Sequence, residues 1–229
     1  MEHGIYNGDC MDLIPKLADG SIDCCITDPP YGISYQSAWR IDKKKWKPKI
    51  LNDETPFTEW IKPLFEKMKY GGRVICFYRW DVQDAFLDAF LDAGFIVKSQ
   101  LVWDKVIHGM GDLKAEFAPQ HELMLYATKG RFEFTSKRPK TMYRCSRVPA
   151  ESLKHPNEKP INLIAALIRD ITNPGETIID PCGGSFSTFK AAVKEGRKCI
   201  CFELYEEYFG LSENAKLYNE ISLFSHIIE

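Results

Sequence analysis

Several things are scarce or missing in this chain of 229 residues. No uninterrupted apolar run approaches the ~18 residues that a membrane-spanning helix needs, so no membrane span is expected. No Cys-x-x-Cys spacing occurs among its eight cysteines, so a zinc site is not expected and no metal is assigned. Five of those cysteines (Cys24, Cys25, Cys76, Cys199, Cys201) sit inside apolar runs, which reads as buried reduced thiols of a cytoplasmic protein rather than a disulfide framework. The first residues, Met-Glu-His-Gly-Ile-Tyr, lack the pattern of a secretory leader. There is no Walker lysine loop, which argues against nucleotide hydrolysis. Internal repeats, low-complexity tracts and any linker long enough to separate a pair of domains are also absent, so one domain over 1–229 is expected.

What is present is an ordinary globular composition, 45% hydrophobic and 27% charged, with a net charge of −2. That charge is unevenly spread. Residues 36–49 hold Arg40, Lys43, Lys44, Lys45, Lys47 and Lys49 against Asp42 alone. Residues 129–147 hold seven Lys/Arg, among them Lys137, Arg138, Lys140, Arg144 and Arg147, against Glu133 alone. Two basic stretches on an acidic body are either solvated loops or a footprint for a phosphate backbone.

Strand and helix patterns alternate. Residues 4–9, 21–27, 73–78, 95–103, 121–128, 177–180 and 198–203 read as strands. Helices are expected at 11–17, 56–69, 80–93, 160–171, 186–195 and 205–219, with Gly71-Gly72 ending the second. Residues 33–52, 104–118 and 129–154 show no clear period. The alternation predicts an α/β fold, a mostly parallel, seven-stranded sheet with helices on both faces.

Two strand ends carry the chemistry. Thr-Ile-Ile-Asp runs into Pro181-Cys182-Gly183-Gly184-Ser185 and then a helical pattern. Such a strand–glycine–helix turn lies where ligands bind in open α/β sheets, and small residues let a ligand approach the backbone. Glu203 ends the next apolar run about 20 residues on, the usual place for an acid that holds ribose hydroxyls. This half reads as a nucleoside-cofactor site.

The other strand, 21–27, stops at Asp28-Pro29-Pro30-Tyr31-Gly32, because proline cannot donate to a sheet ladder. Taken alone, such a corner is also explained as a rigid turn. Beside a cofactor turn it suits one task. An exocyclic nucleobase amine is a poor nucleophile because its lone pair is delocalised. A carboxylate and a fixed carbonyl can accept its two N–H groups, and a Tyr ring can stack on the base and hold it in line.

Asp28-Pro29-Pro30-Tyr31-Gly32 resembles the catalytic motif of amino-group DNA methyltransferases, and Asp180-Pro181-Cys182-Gly183-Gly184-Ser185 resembles their S-adenosyl-L-methionine motif. His155-Pro156-Asn157-Glu158-Lys159-Pro160 is similar to the segment that precedes it, and Asn7-Gly8-Asp9-Cys10 to the amino-terminal motif. The catalytic motif comes first and the cofactor motif last, which matches the β class, and the resemblance spans nearly the whole chain. It implies a Rossmann-like methyltransferase fold and a base flipped out of double-stranded DNA. Asp28, Pro29, Pro30 and Tyr31 would bind that base. Asp180 and Gly184 would line the methionine end of the cofactor, Glu203 would hold its ribose hydroxyls and Asp9 would accept from its adenine amine, with Cys10, Asp28, Pro181, Cys182, Gly183, Ser185 and Leu204 also counted among the cofactor-binding residues. His155 and Lys159 would close over it. Asp28 at the head of the motif favours adenine N6, with cytosine N4 as the alternative. The short span 129–154 would be a small target-recognition insertion, and 33–52 a DNA-contacting loop. So small a segment implies a short target, relaxed specificity, or a homodimer that completes the grip. A cognate restriction endonuclease is a further partner the resemblance suggests.

Two departures stand out. Phe186 replaces the motif's second glycine and would enclose the cofactor or narrow its pocket, and Cys182 replaces the usual phenylalanine. His121 and Glu122 read as an edge of a strand and His108 as part of a solvated loop; Trp103 with Lys105 resembles a strand end near the active site in the family, and a core tryptophan explains it as well. An RNA or protein amine methyltransferase, and a DNA-binding protein that has lost activity, are the competing readings.

Overall fold

The structure is a computed structural model that describes residues 1–32, 55–109, 112–135, 137–153, 155 and 157–213. The strands are β1 (Gly4–Asn7), β2 (Ile22–Thr27), β3 (Met68–Tyr78), β4 (Ile96–Asp104), β5 (His121–Thr128), β6 (Met142–Arg144), β7 (Thr177–Asp180) and β8 (Lys198–Glu203). The helices are α1 (Cys10–Leu13), α2 (Ile61–Lys67), α3 (Gln83–Asp92), α4 (Ile161–Ile171), α5 (Ser187–Lys194) and α6 (Glu206–Phe209). One sheet joins all eight strands in the order β1-β8-β7-β2-β3-β5-β4-β6. Among the described residues only β5 runs antiparallel to its neighbours.

The uniformly apolar strands are explained by burial on both faces. In β2, Cys24 and Ile26 face one core and Ile22 and Cys25 the other. In β8, Cys199 and Cys201 alternate with Ile200 and Phe202 in the same way. The first core is closed by α4 and α5, the second by α1, α2 and α3. In α4 the spacing of Leu163, Ile164, Leu167, Ile168 and Ile171 puts one apolar stripe on the sheet. Each fully buried Ile or Leu of this kind contributes roughly 1.5–3 kcal/mol.

This is the expected Rossmann-like architecture with one strand more than expected. The eighth is β6, which adds in parallel to the edge strand β4 from within a stretch that shows no periodicity in sequence. The second difference concerns Gly71-Gly72. Helix α2 already ends at Lys67, and the glycines lie inside β3, in an excursion between the pairs Ile22–Met68 and Cys24–Arg73. Gly71 N–H donates to the Lys129 carbonyl at 2.7 Å and Lys129 N–H to the Gly72 carbonyl at 2.8 Å. The expected helix 205–219 is described only to 213, and α6 covers four residues of it.

One place in this sheet gathers residues from distant parts of the chain. Strands β7 and β2 are adjacent and parallel, with Cys24 beside Ile178 and Cys25 beside Ile179. From β7 the chain leaves through α5 to β8 on one side, and from β2 through α2 to β3 on the other. The crevice between two such diverging connections is where ligands bind in open α/β sheets. Asp28 follows β2 and Asp180 ends β7, so both reach that crevice.

Candidate active site

A cavity of about 1200 Å³, counted with its open mouth, lies at this crevice. It is lined by Asp28, Pro29, Pro30 and Tyr31 on the β2 side, and by Asp180, Pro181, Cys182, Gly183, Gly184 and Ser185 on the β7 side. Asp9, Cys10, His155, Lys159, Glu203 and Leu204 complete the wall. Each residue expected to bind target base or cofactor thus reaches one space.

The glycine turn is built by its own hydrogen bonds. Gly183 N–H donates to the Phe202 carbonyl at 2.7 Å, and Cys182 N–H to Asp180 Oδ1 at 3.1 Å. Gly184 has φ +52°, and a Cβ there would meet the His155 ring at 3.4 Å. Glu203 braces the turn from the next strand. Its Oε2 accepts from Gly184 N–H at 2.7 Å and its Oε1 from Tyr205 N–H at 2.9 Å. Burial raises the Glu203 carboxyl above the ordinary range, against the pull of those amides. Buried Lys190 holds the Ser185 carbonyl at 2.6 Å, and Ser187 Oγ donates to the Lys159 carbonyl at 2.8 Å. Asp9 caps α1 through Met11 N–H at 2.8 Å. Burial pushes the Asp180 carboxyl up to about 6. The Thr188 hydroxyl and the Cys182 amide oppose this, and the charge of Asp28 adds to it.

Phe186 adopts φ +60°, a left-handed conformation that glycine adopts at far lower cost. Its ring is fully buried in the core against α5 and does not line the cavity. The expectation that it encloses a cofactor or narrows the pocket is therefore corrected. The backbone keeps the conformation of the turn, and the side chain leaves through the floor.

The proline corner is equally defined. Pro30 carbonyl accepts from Phe57 N–H at 3.1 Å, whereas the Pro29 carbonyl takes no partner among the described residues. Gly32 has φ +79°, and a Cβ there would lie 2.4 Å from the Thr55 carbonyl carbon, so the chain passes close beneath it. Tyr31 OH donates to Asp28 Oδ1. Lys159 Nζ donates to Asp28 Oδ2 at 2.6 Å and sits 4.9 Å from the centre of the Phe77 ring. Burial raises the Asp28 carboxyl; Lys159 works against this and Glu122 adds to it. Burial disfavours the Lys159 charge, but Asp28 and Glu122 outweigh that and raise its pKa.

Two of the quieter sequence readings change here. Lys159 lines the cavity, but the ammonium expected to close over a cofactor is bonded to Asp28. Glu122, read as a strand edge, lies in the charge network: Lys159 Nζ is 3.1 Å from its Oε2 and Lys105 Nζ 2.7 Å from its Oε1. Trp103 is buried, and its indole N–H donates to the Cys145 carbonyl at 2.7 Å. Aromatics that no motif marks also line the cavity: Phe57, Phe77, Tyr205 and Tyr208. Tyr208 packs edge-on against His155 at 4.4 Å. Their nearness to Asp28, Lys159 and Glu203 depends on the fold, although Tyr205 and Tyr208 follow Glu203 closely enough to be noticed.

Of the basic residues, Lys137, Arg138, Lys140, Arg144 and Arg147 lie along the stretch after β5, and Arg144 Nε is 3.6 Å from Asp104 Oδ2. Lys137, Arg138 and Lys140 belong to its solvent-facing part. Arg40, Lys43, Lys44, Lys45 and Lys47 lie outside the described residues. All eight cysteines are free, and the five expected to be buried are buried. Among the described residues no cluster of His, Cys, Asp and Glu suits a metal ion, and no helix is long and apolar enough to cross a membrane.

With this geometry established, similarity is informative. A family model described as DNA methylase matches residues 22–214. The DNA adenine methyltransferase YhdJ of Escherichia coli K12 is 27% identical over 244 residues, covering 89% of this chain and 79% of the relative. A crystal structure of an M1.HpyAVI–SAM complex superposes with a TM-score of 0.73 at 24% identity, covering 93% of this chain and 98% of that one. The PvuII DNA methyltransferase, described as cytosine-N4-specific, superposes with a TM-score of 0.72 at 19% identity, covering 97% of this chain and 93% of that one. At those identities the two superpositions establish the fold.

Proposed function

The chain belongs to the DNA methylase family, and from that premise we propose that it transfers a methyl group from S-adenosyl-L-methionine to the exocyclic N6 amine of an adenine turned out of double-stranded DNA. The observation that carries this reading is that Asp28 and Asp180, 152 positions apart in the sequence, end neighbouring parallel strands and line one cavity.

The cofactor half fits its ligand. The positive φ of Gly184 and the absence of a side chain there leave the backbone approachable beneath His155. Asp180 offers a carboxylate to the cationic methionine end, and Glu203 a carboxylate to the ribose from the next strand. Bound there, S-adenosyl-L-methionine supplies an electrophilic methyl group on a sulfonium. The protein's own residues do the rest. Asp28 and the Pro29 carbonyl, which has no partner among the described residues, accept hydrogen bonds from the two amine hydrogens, which draws the nitrogen lone pair out of conjugation. Tyr31 and Phe57 offer flat faces to the base. Buried walls exclude water from the reacting nitrogen.

Adenine is favoured over cytosine by the aspartate at the head of the proline corner and by the similarity to YhdJ. The similarity to the PvuII enzyme keeps N4-cytosine as the second reading, since both bases present a comparable amine. The basic residues of 129–154 would contact phosphates, with 33–52 as the second DNA-contacting loop. A second copy of the chain and a partner endonuclease belong to this reading as expectations. Nucleoside mass spectrometry of DNA incubated with the protein and S-adenosyl-L-methionine tests it. N6-methyladenine is expected, N4-methylcytosine alone would overturn the base assignment, and neither product would overturn the activity.

A further inference from the structure

Both carboxylate oxygens of Asp28 are engaged in this structure. Tyr31 OH occupies Oδ1 and Lys159 Nζ occupies Oδ2 at 2.6 Å. A target amine needs one of them. An amine that approaches Oδ2 meets the Lys159 ammonium already bonded there, and an ammonium that gave way would not reach water, because its side chain is only 10% exposed. A buried ammonium left without a partner is strongly unfavourable.

Glu122 removes that difficulty. Its Oε2 is already 3.1 Å from Lys159 Nζ. Its Oε1 is held at 2.7 Å by Lys105, whose own ammonium lies 5.4 Å from the Trp103 ring centre. Burial works against the Glu122 charge, but Lys159 and Lys105 overcome it and lower its pKa, so the acceptor stays ionised. β5 carries Glu122 and β4 leads into Lys105, so two strands fix the acceptor independently of the segment that bears Lys159.

We propose that Glu122 is a positioning residue that takes up the Lys159 ammonium while Asp28 accepts the target amine. In the resting state Lys159 bridges the two carboxylates and offsets part of the burial effect on Asp28. In the engaged state the ammonium shifts by a fraction of its side-chain reach onto Glu122, and Asp28 Oδ2 is free. This role rests on the methyltransferase reading above, and it applies to an exocyclic amine of either base.

The test is a double-substitution cycle, with labelled methyl transfer to unmethylated plasmid DNA as the readout. Glu122→Gln should lower kcat roughly tenfold or more, with the KM for S-adenosyl-L-methionine changed less than about twofold, because the ammonium then stays on Asp28. Glu122→Asp, which keeps the charge, should recover most of the loss. In a Lys159→Met background, Glu122→Gln should change kcat less than about twofold, since no ammonium remains to be moved. Equal losses in both backgrounds, or a Glu122→Gln enzyme with the wild-type kcat, would overturn the relay while leaving the methyltransferase reading intact. A wild-type protein that modifies neither adenine nor cytosine in DNA would overturn both. Thermal unfolding of each variant checks that a lost kcat is not lost fold.

Discussion

Lys159 Nζ lies 2.6 Å from Asp28 Oδ2, closing a contact between residues 131 positions apart. The pair joins the corner after β2 to the segment before α4, and so to the glycine turn through Ser187. Replacing Asp28 by Ala should remove the acceptor for the target amine and leave the cofactor half standing. Losing one preorganised polar contact to a developing charge costs about 100- to 1000-fold in kcat. That loss is expected in a radiolabelled methyl-transfer assay, with the calorimetric affinity for S-adenosyl-L-methionine changed only a few-fold. Loss of cofactor binding on the same scale as activity would place Asp28 in the wrong half of the site.

Tyr31 separates a ring from a hydroxyl. Its OH is spent on Asp28, not aimed at open space. Tyr31→Phe keeps the flat face and releases Asp28 Oδ1, so transfer should fall less than about tenfold. Tyr31→Ala removes the face as well and should cost more, about as much as a base-stacking contact of roughly 1–3 kcal/mol. Steady-state kinetics on one DNA substrate orders the two variants. A Phe variant as inactive as Asp28→Ala would show that the hydroxyl, not the ring, is what matters.

Asp180 should give the apo protein a distinctive pH dependence. Its folded-state pKa of about 6 lies above the unfolded value. The folded state therefore holds this proton more tightly, and the contribution is favourable at low pH. It is lost as pH rises from about 4 to about 6, amounting to about 3 kcal/mol of burial cost at neutral pH. Asp180→Asn should flatten that region of the stability profile measured by denaturant unfolding. The same titration should govern ligand affinity with the opposite sign. Binding of cationic S-adenosyl-L-methionine should tighten as pH rises through about 6, and binding of the thioether product, which has lost the sulfonium charge but keeps its ammonium, should tighten less.

Much of this was legible along the chain. Ile22–Thr27 and Lys198–Glu203 read as strands because burial on both faces leaves no polar alternation to confuse them. The proline corner and the glycine turn read as sites because their backbone constraints are written in residue types. Gly71-Gly72 misled because a glycine pair after a helix ordinarily ends it, whereas here the distant Lys129 holds the pair in a strand excursion. β6 was illegible because three residues at a sheet edge have no period to detect. Glu122 reads as an edge residue in sequence because its meaning lies in Lys159 and Lys105, and only the sheet brings those three together.

Phe186 offers a test of how backbone and core divide the work. A left-handed residue other than glycine costs roughly 1–2 kcal/mol, and Phe186→Gly would relieve it. The same change empties a fully buried ring site, and a large-to-small change of that kind costs about 3–5 kcal/mol. The second effect is larger, so the variant should lose about 1–4 kcal/mol, which calorimetry would register as a Tm lower by about 2–16 °C. Because the ring does not line the cavity, affinity for S-adenosyl-L-methionine should stay within about threefold at a temperature where the variant is folded. A variant with wild-type Tm and altered affinity would return Phe186 to the pocket.

The basic residues of 129–154 make the last prediction, one about salt. Each phosphate neutralised on duplex DNA adds about −0.9 to the slope of log affinity against log salt. Lys137, Arg138 and Lys140 have no carboxylate partner among the described residues, whereas Arg144 is near Asp104. Replacing those three by Ala should make the slope shallower by up to about 2.7, weakening DNA binding at low salt similarly across unrelated sequences. Arg144→Ala should change the slope less, because its charge is already partly answered. Fluorescence anisotropy over a series of salt concentrations gives the slopes directly. An unchanged slope in the triple variant would mean that this edge of the sheet faces away from DNA, leaving the grip to the other basic stretch.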